Sequence, residues 1–422
     1  MKSKTKSLSA LIDLPKSGFW GDTVPSRQRS VRVKVVTNGD VQQAESIRVR
    51  NLPRRYFSKS EYHKSKLTPG DIVITTSGEP GSVARFTDND DEVVVSNFVK
   101  RLKARSGVDP SWLFYALRSS FSRSQLGGFV QHSVIANLSR DYFERLQLPD
   151  VPYNEQKKIS SIFTQLDSLI EKSETLVRKY GRMRAGLIQD LFSFGLQEDG
   201  SIRTNSKNDF KRSALGVIPK EWTVKSLKEL CSIKSGATPT RSFAAYWNGE
   251  HPWVSAKDMK SFELHDSIEH ITDKAIRDGY QMVNRGSILI VTRGMILAHT
   301  FPVGMVMRPV AFNQDLKALI CNEAVDHKFL AYWMVAKADS FLRLATSATH
   351  GTKKLDTEDI ENFLIALPTK EEQVLIANKI TDFDRLMSKE TSALQKLKEL
   401  KKGLVDDLLT GVRETSTLPK HG

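Results

Sequence analysis

The chain is written twice. From about residue 70 onward its landmarks return 216 or 217 positions later. Gly70-Asp71-Ile72-Val73-Ile74 is answered by Gly286-Ser287-Ile288-Leu289-Ile290, and Asn97 by Asn313. Val108-Asp109 returns as Val325-Asp326, and Glu155-Gln156 as Glu372-Gln373. Gly186-Leu187-Ile188-Gln189-Asp190-Leu191 returns as Gly403-Leu404-Val405-Asp406-Asp407-Leu408. A tandem duplication of this size predicts two similar modules on one scaffold, suited to gripping two related things at a fixed separation.

Each copy follows one order. A mixed segment comes first, with short β-branched runs bounded by turn residues: Ile72–Thr76, Val93–Val95 and Ile288–Thr292 read as strands. A short helix is expected over Ser111–Arg118 and again over Lys328–Ala336, then a proline stop at Pro149/Pro152 or Pro368, then a long helix. In the first long helix, Ile159, Ile162, Leu166, Leu169, Ser173, Leu176, Tyr180, Met183 and Leu187 keep a 3-4 spacing, a heptad seam. Phe163, Ile170 and Val177 make a further apolar row beside it, as do Ile380, Met387 and Leu394 in the second helix. These six are the candidate subunit-interface residues, because a plain two-stranded seam does not need them. The opposing expectation, that the row packs on the chain's own globular segments, carries equal weight. Thr369-Lys370-Glu371-Glu372 has the capping-box pattern. Each helix should run about 38 residues, or roughly 57 Å.

The resulting layout is an α+β chain with an internal tandem repeat: a first module over 1–153, a long helix over 154–192, and a linker over 193–218. A second module over 219–368, a second long helix over 369–411 and a disordered tail over 412–422 complete it.

Composition narrows the function. The formal net charge is +14, and residues 1–66 carry fifteen Lys or Arg against five acids. That is the electrostatic footprint of a polyanion partner. Two cysteines among 422 residues exclude a disulfide framework and fit a reducing, cytoplasmic setting. No apolar run approaches the length of a membrane span. Phosphate-loop, nucleophile-elbow and zinc-helix motifs are missing, as are an amino-methyltransferase box and a loop for its methyl donor. Pro149-Asp150 with Glu155-Gln156-Lys157 matches a nuclease string, but the second copy lacks its Asp and Lys. No catalytic residue, metal site or cofactor is therefore expected in this chain.

Residues 215–259 carry a more specific signal. Leu215-Gly216-Val217-Ile218-Pro219-Lys220-Glu221-Trp222 leads to Ser235-Gly236-Ala237-Thr238-Pro239-Thr240-Arg241. Tyr246-Trp247-Asn248-Gly249-Glu250-His251-Pro252-Trp253-Val254-Ser255-Ala256-Lys257-Asp258-Met259 comes next, and later Asn313-Gln314-Asp315. With the Leu-Pro and Glu-Gln helix starts, the whole chain resembles the specificity subunit of Type I restriction–modification systems. The first half departs from the pattern, with Gly18-Phe19-Trp20-Gly21 and a dense arginine stretch instead.

The resemblance implies two target recognition domains, each reading one half of a bipartite, asymmetric double-stranded DNA sequence. It implies two long antiparallel coiled-coil helices as spacer, and docking of two methyltransferase subunits that carry S-adenosylmethionine, with motor/endonuclease subunits completing the full complex. The competing function is a tandem-repeat adaptor that binds only protein.

Candidate DNA contacts can be named by residue type, since Arg and Lys suit guanine, Asn and Gln adenine, and Ser or Thr either. In the second module they are Ser235, Thr238, Arg241, Lys257, Arg293, His350, Thr352, Lys353 and Lys354. In the first they are Arg48, Arg50, Arg54, Arg55, Gln131, His132, Ser133, and Ser77, which stands opposite Arg293 in the repeat. Asn97 and Asn313 are expected to make turn bonds, and Trp222, Trp247 and Trp253 to be core.

Overall fold

The computed structural model describes residues 4–42, 46–89, 92–131, 137–204, 209–347 and 352–409. It mixes helix and strand, and divides into two compact units. One contains residues 1–175 and 391–422, the other 176–390, so the division falls inside both long helices rather than at their ends.

In the first unit the β-branched run Ile72–Thr75 is buried throughout and forms a central strand. It pairs antiparallel with Val99–Leu102 on one side and Val83–Arg85 on the other, with Lys16–Ser17 outermost. A second sheet sets Val31–Val36 between Arg54–Phe57 and the parallel strand Val93–Val95. The second unit centres on Ile288–Val291, again fully buried, between Leu316–Cys321 and Val303–Val306. Cys231–Ser235 and Glu263–Leu264 close that five-stranded sheet. Trp247–Val254 pairs antiparallel with Glu269–Ile271 and parallel with Ala311–Phe312.

The short helices run Pro110–Arg118 and His327–Ala336. Asp109 caps the first, accepting from the Trp112 amide at 2.8 Å; Asp326 caps the second, accepting from the Phe329 amide at 2.9 Å. The long helices run Tyr153–Phe194 and Lys370–Leu409. The buried glutamine of each Glu-Gln landmark explains its recurrence. Gln156 Oε1 accepts from the Asp109 amide at 2.8 Å, and Gln373 Oε1 from the Asp326 amide at 2.7 Å. Each long helix is thus fastened at its start to the cap of a short one.

Within each unit the long-helix segments run antiparallel. In the first, Lys401 pairs with Asp167 at 2.6 Å and Lys398 with Glu174 at 2.7 Å. In the second, Arg184 Nη2 donates to Asp384 at 3.0 Å, and Tyr180 meets Phe383 edge-on at 6.0 Å between centroids.

Several expectations need correction. The stretch 193–218 is not a bare linker: Phe210–Ser213 and Gly216–Pro219 form a hairpin, and Leu196 is buried. The capping box is half made. Thr369 accepts from the Glu372 amide, while the Glu372 carboxylate turns instead to Arg203, the Trp222 indole and the Leu196 amide. The first long helix already begins at Tyr153. The tail 412–422 lies outside the described residues.

The proposed interface row is largely turned inward. Phe163 and Ile380 are completely buried and Leu394 nearly so; Ile170, Val177 and Met387 are half-buried. Phe163 packs against Tyr115 of the short helix at 4.7 Å, so at that position the row faces a globular segment. The exposed apolar residues described on the long helices are Tyr153, Leu169, Met183, Val374, Leu375, Leu386 and Leu400, of which Leu169 and Met183 belong to the seam row of the first helix. No described helix is long and apolar enough to cross a membrane.

Candidate nucleic-acid interface

Just beyond the central strand of each unit, a short ladder collects residues far apart in sequence. In the second unit Arg293–Gly294 pairs with Lys353–Lys354, and that strand pairs in turn with Thr346–Ser347. Arg293 thereby lies opposite Lys354, with Thr352 next along the strand. In the first unit Ser77 bridges to Asn137, and Asn137–Leu138 pairs with Val130–Gln131. The repeat offset relates the two ladders strand by strand.

The second ladder is exposed and cationic. Arg293 is exposed, and its guanidinium has no side-chain partner among the described residues. Lys353 donates to Ser347 Oγ at 2.9 Å, and Lys354 pairs with Asp356 at 2.5 Å. A second group lies around Trp247–Val254. Arg241 stacks over the Trp247 ring, 3.9 Å from its centroid, and forms a two-pronged ion pair with Glu269. That pairing holds the Glu269 carboxyl below its ordinary range. Thr238 donates to Gln314 at 2.5 Å, and Lys317 to Ser235 at 2.6 Å; Lys257 is exposed.

The first unit's candidates are placed differently. Arg48 and Arg50 flank the buried Val49, and both are exposed. Arg54 pairs with Glu92 at 3.1 Å, and Arg55 lies over the Trp20 ring at 4.3 Å. Ser77 is buried, its carbonyl accepting from Asn38 at 2.8 Å, so it holds a loop and offers no side chain to a ligand. Gln131 lies on the ladder; His132, Ser133 and His350 fall outside the described residues. Asn313 makes a turn bond, accepting from the Asp315 amide at 3.2 Å. Trp222 and Trp253 are buried, and Trp247 is half-buried. Residue type alone overlooked Gln314, Lys317, Met295 and Ile296. The Asn-Gln-Asp motif signals the first of these; strand pairing sets Lys317 opposite Ser235, and the turn after Gly294 carries Met295 and Ile296.

The nuclease-like string does not assemble. Asp150 pairs with Lys6 at 2.8 Å and Glu155 with Lys158 at 2.5 Å. Among the described residues no cluster of three His, Cys, Asp or Glu could hold a metal ion.

The family model for the Type I restriction modification DNA specificity domain matches residues 27–177 and 219–401. The putative type I restriction enzyme MjaX specificity subunit of Methanocaldococcus jannaschii is 25% identical over 368 residues, covering 84% of this chain and 81% of that one. The EcoR124I/EcoR124II specificity subunit of Escherichia coli is 28% identical over 203 residues, 48% of this chain and 50% of that one. The M. jannaschii MjaIX specificity subunit is 28% identical over 46% of each. The chain thus spans about half the length of these last two relatives. In fold it is similar to a solved chain concerned with complex assembly and conformational transition of the type I R-M system, at TM-score 0.59, 15% identity and 96% coverage of both. It is also similar to the Type I restriction–modification S subunit from M. genitalium, at TM-score 0.56, 15% identity and 96% coverage of both. With both of its halves matched by one model, this chain belongs to the Type I restriction–modification DNA specificity family.

Proposed function

We propose that this chain is the non-catalytic, DNA-reading subunit of a Type I restriction–modification complex, and that its two units are two copies of one target recognition module. The observation that carries the reading is the pair of equivalent ladders, one beyond each central strand, with a basic exposed face in the second unit. Each module reads one block of a bipartite, asymmetric target. The blocks differ because the ladders differ: Arg293 stands where the first unit has the buried Ser77. Methylation mapping in a host carrying the chain and its methyltransferase tests this. Two unlike blocks separated by a gap are expected; a palindrome or one continuous motif rejects the model.

The long helices dock two methyltransferase subunits, which hold S-adenosylmethionine. The support is two matched pairs of exposed apolar side chains. The ion-pair register sets Leu169 level with Leu400 in one unit, and Met183 level with Leu386 in the other. The offset of 217 carries Leu169 to Leu386 and Met183 to Leu400, so two identical partners find two equivalent patches. Replacing Leu169 and Leu400 by Asp should halve the methyltransferase copurifying with the chain, and altering Met183 and Leu386 as well should abolish it. A protein-binding adaptor without DNA specificity is not favoured. It would show salt-insensitive partner binding and no duplex binding, whereas neutralising phosphates makes affinity fall steeply with salt.

A further inference from the structure

The two ladders diverge immediately after a shared glycine. Gly78 is succeeded by Glu79 and Pro80, and Gly294 by Met295 and Ile296. Gly294 takes φ +146°, a conformation costly for any other residue. The bend ends the ladder strand and starts a 3-10 turn over Met295–Ala298 that packs beside Lys353–Lys354. This turn is rigidly based. Leu297 is buried, the His299 and Thr300 amides donate to the Ile296 carbonyl at 3.0 and 2.9 Å, and Phe301 stacks on Phe341 at 4.6 Å. Yet Met295 is 62% exposed and Ile296 36%. An apolar tip on a fixed turn, rimmed by cations, suits a duplex: phosphates meet the rim and unstacked bases meet the tip.

We propose that Met295 and Ile296 form a wedge that enters a base step of the bound duplex while Arg293 and Lys353 hold the neighbouring phosphates. The inference rests on the DNA-reading function above. Charge chooses the occupant, because Arg293 beside the tip has no side-chain partner among the described residues, and both ladder lysines lie at its edge. The wedge belongs to one unit only, since the first presents an acid and a proline at the same place. The unstacking therefore falls within one block of the target, and pyrimidine–purine steps, which open most easily, favour it.

The test uses the full chain with its methyltransferase, bound to its mapped target carrying 2-aminopurine at successive positions. The wild type should raise fluorescence at one step within one block, apart from the methylated adenines, which a methyltransferase itself extrudes. The double variant Met295→Ser/Ile296→Ser should lose that signal alone. It should bind roughly tenfold more weakly with an unchanged salt slope, because the phosphate contacts stay. Both substitutions are at exposed side chains, and an unaltered unfolding midpoint shows that the fold is kept. A signal that persists in the variant overturns the wedge, as does specific binding by the wild type with no unstacked step. Lost methyltransferase copurification with unchanged fluorescence makes the tip a protein contact and overturns it too. Failure of the wild type to bind any duplex specifically would instead reject the DNA-reading function.

Discussion

Glu155 and Glu372 occupy one place in the repeat and do opposite things. Glu155 is partly exposed and reaches Lys158 on its own helix. Glu372 is buried, and gathers Arg203, the Trp222 indole at 3.0 Å and the Leu196 amide at 2.7 Å. Arg203 and Leu196 come from the stretch between the two modules, so in the second unit this carboxylate stitches the entering chain to the long helix. The glutamines beside them, Gln156 and Gln373, keep one role in both units. The joint between short and long helix is therefore the same in both units, while the neighbouring acid has a different structural task in each.

Glu372→Ala breaks this comparison most strongly. It leaves the largely buried Arg203 guanidinium with only the exposed Glu221 as ion-pair partner, which should cost about 3 kcal/mol. Glu155→Ala removes an exposed pair and should cost under about 1 kcal/mol. Chemical denaturation of the two variants should show that gap. Thiol labelling gives a second readout, because Cys231 and Cys321 both lie in the second unit, opposite each other across paired strands. Burial pushes both thiols up to about 12. A raised pKa leaves the thiol protonated and unreactive below that pH, so labelling at pH 8 should be slow until the unit opens. Glu372→Ala should speed it and Glu155→Ala should not. Equal effects from both variants would refute the asymmetry.

Gln156→Ala and Gln373→Ala sharpen the shared half of the comparison. Each strands a part-buried backbone amide, at a cost of about 1–3 kcal/mol. The two losses should agree within error. A loss confined to one would mean that only one joint bears on stability.

These contacts separate the legible parts of the chain from the rest. Elements set by local chemistry could be read from sequence: the buried β-branched strands, the short helices and the long helices themselves. The first half's departure from the family pattern was more apparent than structural. Gly18 lies so close to the Val95 carbonyl that a Cβ would fall 1.6 Å from it, and Gly236 meets the Phe312 carbonyl in the same way at 2.2 Å. The helix faces stayed open between two readings because heptad spacing does not say which row faces the chain's own sheets. The hairpin at Phe210–Pro219 was missed because its alternation is too short to stand out. The ladder could not be foreseen because it joins Arg293 to Lys354 by strand pairing alone.

The smallest expected effect concerns arginines that look equivalent in sequence. Arg54 and Arg55 belong to the dense basic stretch, but Arg54 is already paired with Glu92 and Arg55 lies over the Trp20 ring. A guanidinium engaged in this way must give up its partner to neutralise a phosphate. Arg293 gives up nothing, having no side-chain partner among the described residues. Arg293→Ala should weaken duplex binding roughly tenfold and lower the salt slope by about one. Arg54→Ala should weaken it by no more than about threefold and leave the slope nearly unchanged, because a guanidinium already engaged by Glu92 neutralises little phosphate charge. Salt titrations of the three proteins on one target duplex separate the cases. If Arg54→Ala proves the more damaging, the first unit's arginine stretch supplies the principal phosphate grip, and the ladder of the second unit specifies without holding.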